Sequence, residues 1–189
     1  MRRQPELSTS RLLLRPLRLE DAGAVQRLAG DIRVADTTLS IPHPYEDGMA
    51  ETWIATLTPA WERGESATFA ITGPADGLVG VIGLRIEADR VVAELGYWIG
   101  VPWWSRGFAS EAAGAVIGFG FRELGLDRVI AHHLVRNPAS GRVMEKNGMV
   151  REGLRRDFPI RGRTEDLVLY GLLRADWEAA QAQGAPPST

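Results

Sequence analysis

The sequence predicts an α+β domain built on one mixed sheet. Apolar residues repeat at helical spacing in some segments and at strand spacing in others, without the regular alternation of a doubly wound sheet. Three consecutive strand-like segments near the centre are joined by short turns, which is typical of a meander. With 189 residues, 44% of them hydrophobic, the chain is long enough to bury one substantial core.

The first half of the chain predicts one strand, two helices and a loop. An apolar run closed by proline gives the strand, at residues 11–17. Apolar residues at helical spacing predict helices over 20–30 and 47–63, with a glycine at or just beyond each end. Two prolines within residues 31–45 indicate that this segment, between the two helices, forms a loop.

The second half predicts the meander, a long helix and a closing hairpin. The meander strands are 68–72, 78–86 and 91–99, and residues 73–77 make a good hairpin turn between the first two. The remaining elements, in chain order, are a helix at 107–124, a strand at 128–135, a helix at 138–146, strands at 150–158 and 165–173, and a last helical turn at 176–181.

Composition excludes several classes of function. A net charge of −2, from 22 basic and 24 acidic residues, disfavours nucleic-acid and anionic-membrane partners. The absence of cysteine excludes disulfides, thiolate metal sites and cysteine nucleophiles. Neither a membrane-spanning run nor a signal peptide is visible. We therefore expect a cytoplasmic protein with one domain over residues 1–180 and a disordered tail at 181–189.

The sequence carries no motif of a zinc hydrolase, a serine nucleophile elbow or a nucleotide-binding loop. His132 and His133 are neighbours in a predicted strand, so they point to opposite faces and cannot bind one metal together. We expect one of them to be packed and the other to lie on the surface. The sequence therefore predicts no metal site and argues against nucleophilic hydrolysis.

A candidate anion site lies where the predicted helix begins after Arg106. The first N–H groups of a helix lack partners and carry partial positive charge, so a phosphate can bind there. Gly107 and Ala109 allow close approach, Arg106 adds a charge and Ser110 a hydroxyl. The alternative is an ordinary strand–helix turn.

A second polar pair opens the helix predicted at 138–146. Asn137 occupies an N-cap position, where a purely structural role is the alternative. Ser140 lies in the first turn with its hydroxyl available.

Together these segments resemble the GNAT N-acetyltransferases, and among them the ribosomal-protein-alanine N-acetyltransferase (RimJ/RimL) type. The motifs that carry the likeness are the Gly-x-Ala turn at 107–109, the Glu-Leu-Gly-Tyr-Trp-Ile strand at 94–99 and the Asn-x-x-Ser…Glu-Lys-x-Gly segment at 137–148. The likeness extends over nearly the whole chain. It implies a GNAT-like mixed central sheet of about seven strands, splayed between the fourth and fifth, with helices on both faces.

The resemblance also implies acetyl-CoA as acyl donor and a primary amine as acceptor, joined by direct attack without an acyl-enzyme. Ile99 and Val101 would contact the pantetheine arm through their backbone, and Asn137 would contact that arm or position the thioester. The candidate cofactor-binding residues are Ile99, Val101, Trp104, Arg106, Gly107, Phe108, Ala109, Ser110, Asn137, Ser140 and Arg142.

Catalysis needs a base and a proton donor. An α-amine has a pKa of about 8, so a mild base suffices. Glu94, acting through a water, is the first candidate and Asp157 the second. Met144 stands where many relatives have a tyrosine and cannot donate a proton, so Ser140 is the candidate donor to the CoA thiolate.

The expected acceptor is the α-amine of a protein N-terminus, for instance of a ribosomal protein. The segments expected to line the acceptor side, 31–45, the helix with Trp53 and Trp61, and the 158–163 turn, hold no acidic cluster suited to polyamines. A small-molecule amine or antibiotic acceptor, a larger acyl donor, and a non-catalytic acyl-CoA-binding domain are the alternatives. The chain is expected to be a monomer or a homodimer.

Overall fold

The computed structural model describes residues 3–73 and 77–184, and these are arranged around one eight-stranded sheet. The strands are β1 (Leu7–Ser8), β2 (Leu13–Pro16), β3 (Ser66–Gly73), β4 (Gly77–Ile86), β5 (Val92–Ile99), β6 (Arg128–Leu134), β7 (Val150–Ile160) and β8 (Arg163–Leu173). Their order across the sheet is β1-β2-β3-β4-β5-β6-β8-β7. Every neighbouring pair is antiparallel except β5 and β6. The α+β class is confirmed, with β1 added to the seven strands expected.

Six helices accompany the sheet in the described part of the chain. They are α1 (Ala22–Ala29), α2 (Ile32–Ala35), α3 (Met49–Glu62), α4 (Phe108–Glu123), α5 (Pro138–Lys146) and α6 (Arg174–Ala182). The sequence did not predict α2, which lies inside the expected loop at 31–45. It begins where the Asp31 carboxylate accepts a hydrogen bond from the Arg33 N–H at 2.9 Å. Over the described residues, no helix has the length and apolarity needed to cross a membrane.

Two predicted segments, the C-terminal tail and the hairpin turn at 73–77, lie partly outside the described residues. α6 continues to Ala182, so Gln181 and Ala182 are helical and do not belong to a disordered tail. The rest of the predicted disorder falls mainly on residues 185–189, which lie outside the described residues. The same holds for residues 74–76 of the predicted hairpin turn.

Helices pack on both faces of the sheet, as expected. Alternate residues of a strand point to opposite sides. Phe69 and Ile71 of β3 belong to the apolar cluster that includes α4, whereas Ala70 belongs to the cluster formed with α1 and α3. The ring of Phe119 in α4 meets the ring of Phe69 edge-on, with 5.8 Å between centroids.

The two central parallel strands separate soon after they pair. The pairing of β5 with β6 runs only from Val92 opposite Arg128 to Glu94 opposite Ile130, although both strands continue well beyond that point. β5 remains paired with β4 as far as Ile99. The predicted splay is confirmed, and it leaves one edge of β5 unpaired beyond Glu94.

Gly80 holds β4 close to β5 beside this splay. A Cβ atom at this position would lie 2.4 Å from the Trp98 carbonyl oxygen and 2.8 Å from Ile99 Cδ1. We expect Gly80→Ala to lower the free energy of unfolding by about 1–3 kcal/mol, because a backbone atom must move to make room. Urea denaturation measures the change. Gly153→Ala is the matched strand control, since a Cβ at Gly153 meets nothing within 4 Å; equal stability of the two variants would contradict the expectation.

Candidate active site

A cavity of about 1410 Å³ opens where β5 and β6 separate. Residues from both faces of the sheet line it. Glu94 and His132 come from the face that carries α1 and α3, while Ser140 and Val143 of α5 come from the opposite face. The cavity therefore passes between the two strands and connects the two sides of the sheet.

The beginning of α4 forms one end of this passage. Gly107, at φ 80°, is the residue before the helix, a backbone conformation that favours glycine. The first helical hydrogen bond runs from the Glu111 N–H to the Gly107 carbonyl at 3.0 Å, so the N–H groups of Phe108, Ala109 and Ser110 precede it. These N–H groups and the positive end of a 16-residue helix suit an anion.

Most of the predicted site residues meet in the cavity. Those that line it are Glu94, Ile99, Trp104, Gly107, Phe108, Ala109, Ser110, Asn137, Ser140 and Arg142. Val101 and Arg106 do not line it. Val101 lies in a 3-10 turn after the strand, and its carbonyl, expected to be open to the pantetheine arm, accepts the Trp104 N–H at 3.2 Å. The Arg106 side chain is exposed, outside the cavity.

Trp104 and Ile99 interact with each other at the end of β5. The indole Nε1 donates to the Ile99 carbonyl oxygen at 2.6 Å. Because this N–H is the only donor of the tryptophan side chain, Trp104 has none left for a phosphate. The same bond gives the Ile99 carbonyl a protein partner. Trp104 thus contributes apolar surface to the cavity, and its indole has no further hydrogen-bond donor to offer.

Arg11 is a cation at this loop that the sequence did not reveal. Its guanidinium donates to the Arg106 carbonyl at 3.0 Å and to Glu111 Oε2 at 2.7 Å. It also lies over the Phe108 ring, 5.0 Å from the centroid. Almost a hundred residues separate Arg11 from this loop, so no local pattern could connect them. Arg11 therefore stabilises the start of α4 through these contacts.

Asn137 precedes α5 but does not cap it. Its side chain makes no capping hydrogen bond, and it lines the cavity. The purely structural interpretation of this residue is therefore not supported. Its amide group can donate to, or accept from, a molecule in the cavity.

Ser140 forms a pair with Tyr97 of β5. Tyr97 Oη donates to the Ser140 backbone carbonyl at 2.9 Å and lies 2.8 Å from Ser140 Oγ. A phenol has one proton, so the Ser140 hydroxyl is the donor in the second contact. Burial raises the pKa of Tyr97, which keeps it protonated. Strand alternation could have identified Tyr97, because it places this residue on the face opposite Glu94.

Glu94 lies between Arg85 of β4 and His132 of β6. Arg85 is its partner in the antiparallel register and donates to Glu94 Oε2. His132 Nδ1 is 3.4 Å from Glu94 Oε1. His132 and His133 do point to opposite faces, and His133 is buried, but His132 does not lie on the open surface as expected. Its side chain is 23% exposed and faces the candidate base.

Burial lowers the pKa of His132, while the nearby Glu94 carboxylate raises it. The positive charges of Arg85 and Arg155 add to the lowering, and the net shift is downward. The imidazole is therefore neutral at pH 7, when one ring nitrogen can accept a proton. In residues 3–73 and 77–184, no cluster of three or more His, Asp or Glu side chains could hold a metal ion.

Two residues that the sequence placed at the site, Asp157 and Trp61, do not line the cavity. Asp157, the second candidate base, is exposed in an irregular part of β7 and does not line the cavity; its N–H donates to Asp166 Oδ1 at 3.1 Å. Trp61 stacks on Phe119 in the core, with 6.3 Å between ring centroids. Trp53 does line the cavity.

The loop at residues 37–42, part of the segment expected to line the acceptor side, lines the cavity. Arg136 Nη1 pairs with Asp36 Oδ2 at 2.6 Å, at the start of the loop. Arg161, from the β7–β8 turn, donates to the Ile41 carbonyl at 2.6 Å, near its end. The 158–163 turn, which was also expected to line the acceptor side, does not line the cavity and instead holds this loop through Arg161.

Comparison with known proteins identifies the family of this chain. A family model described as an acetyltransferase (GNAT) domain matches residues 11–150. An uncharacterized N-acetyltransferase, p20, of Bacillus licheniformis is 31% identical over 175 residues, which cover 90% of this chain and 97% of p20. The [ribosomal protein uS5]-alanine N-acetyltransferase of Escherichia coli is 34% identical over 84 residues, 44% of this chain and 43% of that enzyme. The crystal structure of a GNAT-family acetyltransferase from Bacillus anthracis superposes with a TM-score of 0.80 at 28% identity, covering 90% and 99% of the two chains.

Proposed function

This chain belongs to the GNAT acetyltransferase family, and on that premise we propose that it transfers an acetyl group from acetyl-CoA to the α-amine of a protein N-terminus. The observation that carries the proposal is the cavity that passes through the splayed sheet. A donor bound on one face can meet an acceptor bound on the other, and the thioester then lies in the gap between the strands.

The donor side offers a separate contact for each part of acetyl-CoA. The N–H groups at the start of α4 suit the pyrophosphate. Arg142 lines the cavity and makes no ion pair within the described residues, so its charge is available to a phosphate. The unpaired edge of β5 and the Asn137 amide offer hydrogen bonds to the amide groups of the pantetheine arm.

The chemical step needs a proton acceptor and a proton donor on opposite sides of the thioester. Glu94 and His132 stand on the acceptor side of the sheet, and Ser140 stands on the donor side. As the amine nitrogen bonds to the acetyl carbon, the carbon–sulfur bond breaks and the thiolate takes the Ser140 hydroxyl proton. Rotation about one side-chain torsion turns this hydroxyl from Tyr97 toward the sulfur.

The lining of the acceptor side favours an acceptor that carries a single amine and no other charged group nearby. Its polar side chains are mostly uncharged, and include those of Thr37, Thr38, Ser40, Tyr45 and Thr52. Two carboxylates line the described cavity, Asp47 and Glu94, and both have partners: Asp47 accepts a hydrogen bond from Gln26 at 2.7 Å. A polyamine with several cations would need more negative charge.

A peptide N-terminus fits this lining better, because it brings one amine together with backbone amides that hydroxyl groups can bond. The name of the related E. coli enzyme gives the alanine of a ribosomal protein as its acceptor, which supports the same class here.

Thiol release tests the proposal. The protein is incubated with acetyl-CoA and peptides that begin with Ala, Ser or Met, and in parallel with polyamines and aminoglycosides. We expect turnover on a peptide, with the acetyl group located on the α-nitrogen by mass spectrometry. The same peptide with a blocked N-terminus and a free lysine is the control. Turnover on small amines alone would reassign the acceptor, and stoichiometric acetyl-CoA binding without thiol release would indicate a non-catalytic domain.

A further inference from the structure

His132 lies beside Glu94, the base predicted from the sequence, and is itself a candidate proton acceptor. It lies on β6 just past the point where β6 leaves β5, on the same face as Glu94. Its Nδ1 faces Glu94 Oε1, and its ring borders the cavity. With Nδ1 directed at a carboxylate, Nε2 is the nitrogen left for a molecule in the cavity.

Glu94 is poorly suited to take the proton itself. Its Oε2 accepts a hydrogen bond from the Arg85 guanidinium, and both of its oxygens have partners. The carboxylate is well placed, however, to stabilise a positive charge on the neighbouring imidazole.

We propose that His132 accepts the proton of the attacking amine and that Glu94 positions the imidazole and stabilises its charged form. This assignment rests on the proposed function. When the nitrogen–carbon bond forms and the carbon–sulfur bond breaks, the amine proton passes to His132 Nε2 while Ser140 protonates the thiolate. Water then carries a proton from His132 back to Ser140, so both groups are restored.

The charges around His132 support this role. Arg85 from β4, Arg155 from β7 and His133 from β6 all disfavour the imidazolium, and Glu94 from β5 opposes them. On β8 the residue opposite His132 is Leu169, which is uncharged. Burial lowers the pKa of His132, so the ring is neutral and able to accept a proton at pH 7.

The test is the pH dependence of kcat, measured with two acceptors whose amines differ in pKa. We expect an ascending limb below about pH 6.5 that is the same for both acceptors, since it belongs to the enzyme. His132→Gln should remove that limb and lower kcat about 100-fold, with the Kd for acetyl-CoA unchanged. Glu94→Gln should shift the limb to lower pH, because the imidazolium loses its counter-charge.

His43→Gln is the matched control. His43 contacts the Gly30 carbonyl at 3.1 Å and does not line the cavity, so this variant should keep the wild-type profile. A limb that disappears in Glu94→Gln but persists in His132→Gln would overturn the assignment in favour of Glu94. Wild-type kcat in His132→Gln would overturn it as well.

An NMR titration of the three imidazoles separates this inference from the proposed function. The pKa of His132 should lie below about 6.5 and fall further in Glu94→Gln. An unchanged His132 pKa in that variant would overturn the pairing, whatever the activity. Absence of thiol release from the wild-type protein on every acceptor, with the pairing intact, would instead count against the proposed function.

Discussion

Replacing Ser140 with alanine is expected to lower kcat about 100- to 1000-fold and to leave the Kd for acetyl-CoA nearly unchanged. The hydroxyl is held 2.8 Å from Tyr97 Oη and lines the cavity on the donor side. Without it the thiolate must leave unprotonated, and an unpaired charge taken out of water is costly. Single-turnover kinetics and calorimetric titration with acetyl-CoA measure the two quantities separately.

A change of donor distinguishes chemistry from structure in the Ser140→Ala variant. An acetyl thioester of a more acidic thiol has a better leaving group, so it should recover part of the lost rate. Ser8→Ala, on the short strand β1 and outside the cavity, is the control and should behave as wild type. Equal losses with both thioesters, or a kcat near wild type, would contradict the role given to Ser140.

Replacing Ser110 with aspartate is expected to weaken acetyl-CoA binding at least 100-fold. Ser110 is the third residue of α4 and lines the cavity at the candidate anion site. Two charges about 5 Å apart interact by roughly 3 kcal/mol at an effective dielectric constant of about 20, and a carboxylate here would face a pyrophosphate at about that distance. Calorimetric titration with acetyl-CoA gives the Kd.

The same substitution should not destabilise the fold, because a carboxylate in the first turn of a helix interacts favourably with the helix dipole. Ser110→Asn is the matched uncharged control, and it should bind acetyl-CoA much more tightly than Ser110→Asp. If the two variants bind equally well, the phosphates do not lie at the start of α4. Thermal unfolding of both variants shows whether the loss comes from binding alone.

Elements that carry a clear period were predictable from sequence. The helix at 138–146 was predicted with its observed bounds, since Pro138 suits a first helical turn and Asn147-Gly148 ends it. β1 and α2 were missed because two and four residues are too few to show a repeat. Short elements of this kind form through tertiary contacts and local caps.

The site residues likewise fall into two groups, those within local sequence motifs and those that the tertiary fold brings together. Ser140 and the 107–110 turn lie in short segments whose local geometry indicates their chemistry. Arg11, Arg85 and His132 reach the site through strand register or distant contacts, which the order of residues alone does not encode. Trp104 shows a different limit of sequence reasoning. The sequence placed it among the cofactor-binding residues, but its indole N–H donates to the Ile99 carbonyl.

The passage through the sheet has a consequence for how the two substrates share the protein. On the proposed function, each substrate would reach the gap between β5 and β6 from its own side, so neither would have to leave before the other could enter. An acceptor carried on a body far larger than this domain could stay docked at the 37–42 loop while spent CoA is exchanged for fresh acetyl-CoA behind the sheet. The splay would thus give donor and acceptor separate entrances to one reaction point.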